Sequence, residues 1–267
     1  MNGQEKQLVQ DFIQEKLDGQ IENFATFDFK SLSGSDQFGC PGRRFDSDDT
    51  EIMRAVYVLL WGDELPELSM DTLGTTGKYR GDTMNSFHTM FGREIEGQPD
   101  FYGGLEKYHP SDAMRERVRE FSSRFCSTLG NYAVLPQLFA QETTLNFYRG
   151  TNDWRDFFDR FLIQLHRVLC GEKDQDPLLA ELVRVNSFCF DRFREESGFR
   201  SLTRLMFLDD YCNADGTPKI VFPLNYHWKN PADPERYFAD VTAYLDRAEA
   251  IIAARGRKML AALKSKL

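Results

Sequence analysis

The stretch that decides the fold is residues 128–169, TLGNYAVLPQLFAQETTLNFYRGTNDWRDFFDRFLIQLHRVL. Apolar residues recur at intervals of three and four across 154–169, which predicts an amphipathic helix with one face on a core. Ahead of that helix, residues 131–135 and 143–148 are rich in residue types that favour strands. Together they predict a β-hairpin near 130–148.

The rest of the chain is dominated by helical spacing. Apolar stripes of the same period recur in 5–17, 46–62, 110–125 and the segment that follows Pro234. Short polar residues and prolines precede several of these stripes, as is typical of helix starts. The sequence therefore predicts a mainly α, single helical domain with a small two- or three-stranded β element (α+β).

The predicted organisation is one domain over residues 1–267. Residues 1–45 form an N-terminal helix and an irregular arm, and residues 46–267 form a helical core that carries the hairpin. With 41% hydrophobic and 28% charged residues, a chain of this length can bury a core without disulfides or metals. Neither a linker nor a low-complexity segment interrupts it.

The charge and the cysteine content of the chain indicate its cellular compartment and the classes of partner that it could bind. The formal net charge is -9, which argues against a protein that binds nucleic-acid backbones. The five cysteines contain no CxxC pair, and the polar N-terminus MNGQEKQLVQDF lacks a signal-peptide core. No apolar run reaches the length of a membrane span. We expect a soluble, cytoplasmic protein with no membrane partner and no nucleic-acid partner.

The first candidate site is a pair of identical triplets, Tyr79-Arg80-Gly81 and Tyr148-Arg149-Gly150. Arginine binds carboxylate or phosphate with two parallel hydrogen bonds, and glycine allows a ligand close to the backbone. Two such turns, with Asn146 beside the second, could clamp a small anionic ligand. The alternative is that the triplets recur by chance and each arginine pairs with a local acid.

Catalytic candidates are sparse. Of the four histidines, His88 is the best placed for catalysis, because it follows Asp82, Asn85 and Ser86 in a glycine-rich loop. Asp82 or His88 could act as an acid or base. An ordinary loop histidine is the simpler interpretation. No HxH, HxxxH or HExxH spacing exists, so no metal site is predicted. The sequence identifies no cofactor, because it contains neither GxGxxG nor GxxxxGK.

Several segments carry a resemblance to a known family. They are DTEIMRAVYVLLWGDELP (49–66), TLGNYAVLP (128–136), TLNFYRG (144–150), DFFDRFLIQLHRVL (156–169) and MFLDDY (206–211). In order and spacing the chain resembles an uncharacterised family of bacterial proteins, a domain of unknown function. That family has a more regular TIN-x-x-RG before the long helix. The resemblance implies no activity.

A weaker likeness concerns the segment around Asn146. GNYAVLP, a later asparagine and a helix resemble the second half of a His-Asn-His nuclease finger, a ββα unit. The general-base histidine of that finger has no counterpart before the strand, because His88 stands in the unrelated context SFHTMFG. The resemblance therefore implies at most a degenerate finger across residues 130–169.

These observations leave three hypotheses of function. The leading one is a protein that binds a ligand or a protein partner and has no recognisable catalytic site. The second is an enzyme acting on a phosphorylated or nucleotide-like anion held by Arg80 and Arg149, with Asp82 or His88 as acid or base. The third is the degenerate nuclease-like finger. The oligomeric state is left open.

Overall fold

A computed structural model describes residues 3–32, 34, 36–40, 46–74, 76–85, 111–152, 157–222 and 233–267. Helices dominate these residues, and one small antiparallel sheet accompanies them, which confirms the predicted mainly α class. The strands are β1 (Tyr79–Thr83) and β2 (Tyr132–Pro136). The helices are α1 (Gly3–Lys16), α2 (Glu51–Trp61), α3 (Asp112–Phe121), α4 (Leu145–Thr151), α5 (Phe158–Leu169), α6 (Pro177–Val185), α7 (Ser187–Phe190), α8 (Glu195–Leu205) and α9 (Pro234–Lys266).

The sheet joins two distant parts of the chain. β1 pairs antiparallel with β2, so that Tyr79 lies opposite Pro136 and Thr83 lies opposite Tyr132. Every residue of β2 is buried. An apolar run such as YAVLP is typical of a strand covered on both faces. This pairing places Arg80 opposite Leu135, near the end of β2, from which the chain leads into α4.

The predicted hairpin near 130–148 is wrong, because residues 145–151 form α4 rather than a strand. The Thr144 side chain accepts a hydrogen bond from the Phe147 backbone at 3.4 Å and so caps the helix. Leu145, Tyr148 and Arg149 are buried at helical spacing, and this burial outweighed the strand propensity of the segment. Among the described residues of 130–169, the ββα unit of a nuclease finger is therefore not formed.

Helix α2 is the central element of the core. Its residues from Ile52 to Trp61 are all buried, and all of them except Arg54 are apolar, as is typical of a helix in an interior. Thr50 caps it by accepting from the Met53 backbone at 3.3 Å. The acidic residues before it form a separate 3-10 turn, Ser47–Asp49, which packs on β1.

The N-terminal arm is packed more tightly than its sequence predicts. Phe12 on α1 contacts the rings of Phe24, Phe27, Phe29 and Phe38, with centroids 5.1–5.9 Å apart. Short 3-10 turns carry Phe24 and Phe29. Aromatic clustering of this kind stabilises segments that have little regular backbone structure.

The last helix closes the core over the turn Leu129–Asn131. A Cβ atom on Gly130 would lie 1.9 Å from the carbonyl oxygen of Ile252, so only glycine allows this approach. Arg255, also on α9, is fully buried and donates to the carbonyls of Gly130 and Tyr132 at 2.8 and 2.6 Å. Arg255 therefore acts as a hydrogen-bond donor inside the core.

Among the residues that the structure describes, no helix combines the length and the apolarity needed to cross a bilayer.

Candidate functional site

The first triplet lies on β1, and two of its residues serve the fold. Tyr79 is buried and donates its hydroxyl to the carbonyl of Pro66 at 2.9 Å. A Cβ atom on Gly81 would stand 2.1 Å from the carbonyl oxygen of Asp48 and 2.8 Å from the Tyr57 ring. The glycine was predicted to admit a ligand. It instead admits the chain's own Ser47–Asp49 turn.

Arg80 is the exposed member of that triplet. Its Nη2 donates to Asp46 Oδ2 at 3.0 Å, and 29% of its side chain is accessible. Residues two apart on a strand share a face, so Arg80 and Asp82 lie on the same side of β1. Asp82 is buried at the end of that side.

The second triplet lies on α4 and faces inward. Arg149 is only 1% exposed, and its Nη1 donates to the carboxylate of Asp82. Its Nη2 donates to the carbonyls of Thr83 and Met84 at 3.1 and 2.9 Å. The guanidinium also lies 5.0 Å from the centroid of the Phe158 ring. Arg149 thus fastens the end of β1 to α4.

The predicted clamp of two arginines on one anion is therefore not formed. Tyr148 is buried in the core and Gly150 lies in the last turn of α4. Arg149 cannot reach a ligand without breaking its contact with Asp82. Of the residues predicted around the two triplets, the structure brings Arg80, Gly81, Asp82 and Asn146 to one surface.

That surface is a cleft of about 440 Å³, its open mouth included, between β1 and the segment from β2 to α4. We name it the β1–α4 cleft. Its lining includes Arg80, Asp82, Gln137, Phe139, Asn146 and Phe147. The Gln137 side chain is taken up by the protein itself, because it donates to the Gly77 carbonyl at 2.8 Å. The charged groups at the cleft belong to Arg80 and Asp82, which pair with Asp46 and Arg149, and the Asn146 amide lies beside them.

Two phenylalanines at the cleft are exposed to an unusual degree. Phe139 is 63% exposed and Phe147 is 55% exposed, and within the described residues no other large apolar side chain is more than half exposed. Single exposed apolar residues are common on protein surfaces, whereas larger exposed apolar patches rimmed by polar residues mark binding sites. Phe139 and Phe147 line one cleft together with polar residues. No sequence pattern marks them as exposed, because the aromatic density in 128–169 predicts core packing.

The charges at the cleft are balanced within the chain. Burial opposes the charge on Arg80, but the carboxylates of Asp46, Asp48 and Asp82 outweigh it and raise the pKa of the guanidinium. Burial raises the pKa of Asp48 well above its ordinary value, and its neighbour Asp46 raises it further. A phosphate group needs a site of net positive potential. The surroundings of Arg80 do not supply one.

The structure describes one of the two residues that were predicted as acid or base. Asp82 lies at the cleft, and its carboxylate accepts a charge-assisted hydrogen bond from Arg149. His88 lies outside the described residues. A catalytic role for either residue stays a prediction.

The described residues contain one group of side chains that could hold a metal ion, which the sequence analysis missed. Ligand atoms of His166, Cys170 and Glu196 all lie within 4.8 Å of one another. His166 and Cys170 are four residues apart and share a face at the end of α5. This His-x-x-x-Cys spacing was the available signal. The third member comes from α8, which no local pattern could identify.

The thiol in this group is not a reactive nucleophile. Burial raises the pKa of Cys170 to about 11, and the nearby Glu196 carboxylate adds to the shift. Reactive cysteines need the opposite surroundings, with cations that stabilise a thiolate.

Comparison with protein-family models, with curated proteins and with solved structures gives no match to this chain.

Proposed function

We propose that the protein binds a small, flat ligand in the β1–α4 cleft, with an apolar ring between Phe139 and Phe147 and hydrogen-bond donors toward Asp82 and Asn146. The observation that carries this proposal is the exposure of both phenylalanines at one cleft. Covering them would remove apolar surface from water, which favours binding by roughly 25 cal/mol per Å².

The polar end of the cleft favours ligands that donate hydrogen bonds over ligands that carry an acidic group. The Asp82 carboxylate is held from behind by Arg149, which keeps it in one position. Its oxygens accept hydrogen bonds, and the Asn146 amide can both donate and accept. Aromatic amines, amides and the base of a nucleoside have this chemistry. An enzyme for phosphorylated substrates is the second candidate. The partial exposure of Arg80 at the same cleft supports it, whereas the acids around Arg80 oppose the binding of a phosphate group.

The test is a binding screen by ligand-observed NMR with four classes of compound: aromatic amines or amides, nucleosides, the matching nucleoside monophosphates, and aliphatic amines. We expect hits among the first two classes and weaker binding by the monophosphates. Phe139→Ser and Phe147→Ser should each weaken a hit at least tenfold, while Ile220→Ser, which removes another exposed apolar residue, should not.

Three results would count against the proposal. Hits that are unchanged in both phenylalanine variants would mean that the cleft is not the site. Tighter binding of aliphatic amines than of aromatic compounds would contradict the role proposed for Phe139 and Phe147. Tighter binding of monophosphates, lost in Arg80→Met, would favour the phosphate enzyme instead.

A further inference from the structure

A second site lies where the end of α5 meets the start of α8. His166 Nε2 is 3.0 Å from Glu196 Oε1, and the Cys170 thiol completes a triangle of ligand atoms no more than 4.8 Å apart. His166 is buried, Cys170 is half-buried and the Glu196 side chain is 51% exposed. An ion could therefore enter from solvent and meet one nitrogen, one sulfur and one oxygen.

We propose that His166, Cys170 and Glu196 bind a zinc ion. Imidazole, thiolate and carboxylate are the three ligand types that zinc accepts, whereas magnesium and calcium take oxygen ligands. Bonds of 2.0–2.3 Å in a tetrahedral site separate the ligand atoms by about 3.3–3.8 Å. The ligand atoms lie up to 4.8 Å apart, so zinc binding requires that the Glu196 and Cys170 side chains rotate toward the ion. The fourth position is left to water.

The imidazole is already oriented for such a site. Its Nε2 faces Glu196, while its Nδ1 lies 3.4 Å from Glu172 Oε1. Histidines that bind metals through one nitrogen commonly donate the other N–H to a carboxylate, which fixes the tautomer and the ring. The ring also packs edge-on to Phe199, with centroids 4.6 Å apart. Glu172 is thus a positioning residue behind the zinc-binding nitrogen.

Local charge points the same way. The carboxylates of Glu172, Glu195 and Glu196 all act on the Cys170 thiol. Arg167, 3.7 Å from Glu172, is a nearby cation, and 41% of its side chain is exposed. A divalent cation would neutralise this excess of negative charge. It would also bridge α5 and α8, which no disulfide joins. Zinc is therefore expected to stabilise the contact between α5 and α8.

The experiment uses the whole chain, stripped of metal with a chelator and then dialysed. Cobalt(II) is added first, because a thiolate ligand gives it a charge-transfer band in the near ultraviolet. Zinc is then titrated by calorimetry and by competition with cobalt. We expect one ion per chain, the thiolate band, a rise in melting temperature with zinc, and displacement of cobalt by zinc.

The variants separate this site from chance binding elsewhere. Cys170→Ser should abolish the cobalt band, and Glu196→Gln should weaken zinc binding at least tenfold; both side chains are accessible, so the fold should persist. Glu172→Gln should cost about tenfold, as is usual for a carboxylate behind a ligating histidine. Glu195→Gln, next to the proposed ligand but outside the set, is the matched control and should change affinity less than threefold.

The proposal is overturned if the wild-type protein shows no thiolate band with excess cobalt. It is also overturned if the band survives in Cys170→Ser, or if Glu195→Gln and Glu196→Gln weaken zinc binding equally, since diffuse attraction to acids would then explain the affinity.

Discussion

The two Tyr-Arg-Gly triplets have the same three residues and opposite environments. The first lies on a strand, with its arginine half-exposed beside Asp46. The second lies on a helix, with its arginine 1% exposed and bound to Asp82 and two backbone carbonyls. Asp82 links them, because it directly follows the first triplet in sequence and its carboxylate accepts a hydrogen bond from the arginine of the second.

The difference shows that a local motif does not determine what an arginine does. On the strand, the alternation of side chains places Arg80 on the side of β1 that faces the cleft, where it pairs with Asp46. On the helix, Arg149 is carried with the apolar face of α4 into the core. A buried ion pair and a surface ion pair differ greatly in what their loss costs, because a charge left alone in the interior is poorly solvated. The predictions below use that difference.

The largest effect is expected for Arg149→Met. It removes the partner of a buried carboxylate and leaves the carbonyls of Thr83 and Met84 without a donor, so the free energy of unfolding should fall by about 3–5 kcal/mol. Urea denaturation followed by circular dichroism measures it.

A second variant keeps this prediction testable if Arg149→Met does not fold. The double variant Asp82→Asn/Arg149→Met buries no charge and should be more stable than Arg149→Met alone. If removing Asp82's charge does not help, the ion pair is not what holds β1 to α4.

The next largest effect is expected at Gly81, which was predicted to admit a ligand but instead packs against the carbonyl of Asp48. Gly81→Ala would press a methyl group onto the carbonyl of Asp48, and overpacking of this kind typically costs about 1–3 kcal/mol. Gly3→Ala is the control, since nothing lies within 4 Å of its Cβ position and alanine favours helices by up to about 1 kcal/mol. Thermal unfolding of both variants is the measurement. Equal stability of the two would contradict the close contact.

The acids around the first triplet predict a pH effect. Burial raises the pKa of Asp48 in the folded protein above its unfolded value of about 3.9. The folded state therefore keeps a proton that the unfolded state releases, and this contribution to stability is lost as pH rises above about 4. Asp48→Asn, which is neutral throughout, should gain stability relative to wild type between pH 4 and pH 7. Parallel stability curves over that range would show that Asp48 ionises in the folded protein without cost.

The smallest effect is expected for Arg80→Met. Its ion pair with Asp46 is partly exposed, and such pairs contribute about 0–1 kcal/mol. Denaturation midpoints of Arg80→Met and Arg149→Met, measured side by side, give the comparison directly. A loss for Arg80→Met as large as that for Arg149→Met would mean that the two triplets are equivalent after all.

Much of the fold could be predicted from sequence. The helical stripes of α1, α2, α3 and α5 are visible in the spacing of apolar residues, and the small sheet was expected. The pairing of β2 was not predictable, because its partner is β1, some 50 residues earlier in the sequence. Residues 143–148 were wrongly predicted as a strand because Thr, Phe and Tyr favour strands. In the structure Thr144 caps a helix that contains Phe147 and Tyr148.

The candidate sites were predicted less well, for a physical reason. Sequence shows which side chains can bind a ligand, but burial decides which of them are accessible. Arg149 and Arg80 are equal candidates in sequence, and only packing separates them. Phe139 and Phe147 carried no polar signal, and Glu196 comes to His166 from another helix.

Helix α9 has a consequence for how the protein is made. Through Arg255 and the Gly130 contact it supplies hydrogen bonds and packing to the turn before β2, and its end pairs Lys264 with Glu22. Residues 234–266 leave the ribosome after every segment that they hold together. The nascent chain therefore carries an open core until α9 emerges, so the contacts of Gly130 and Arg255 form only after α9 has been synthesised.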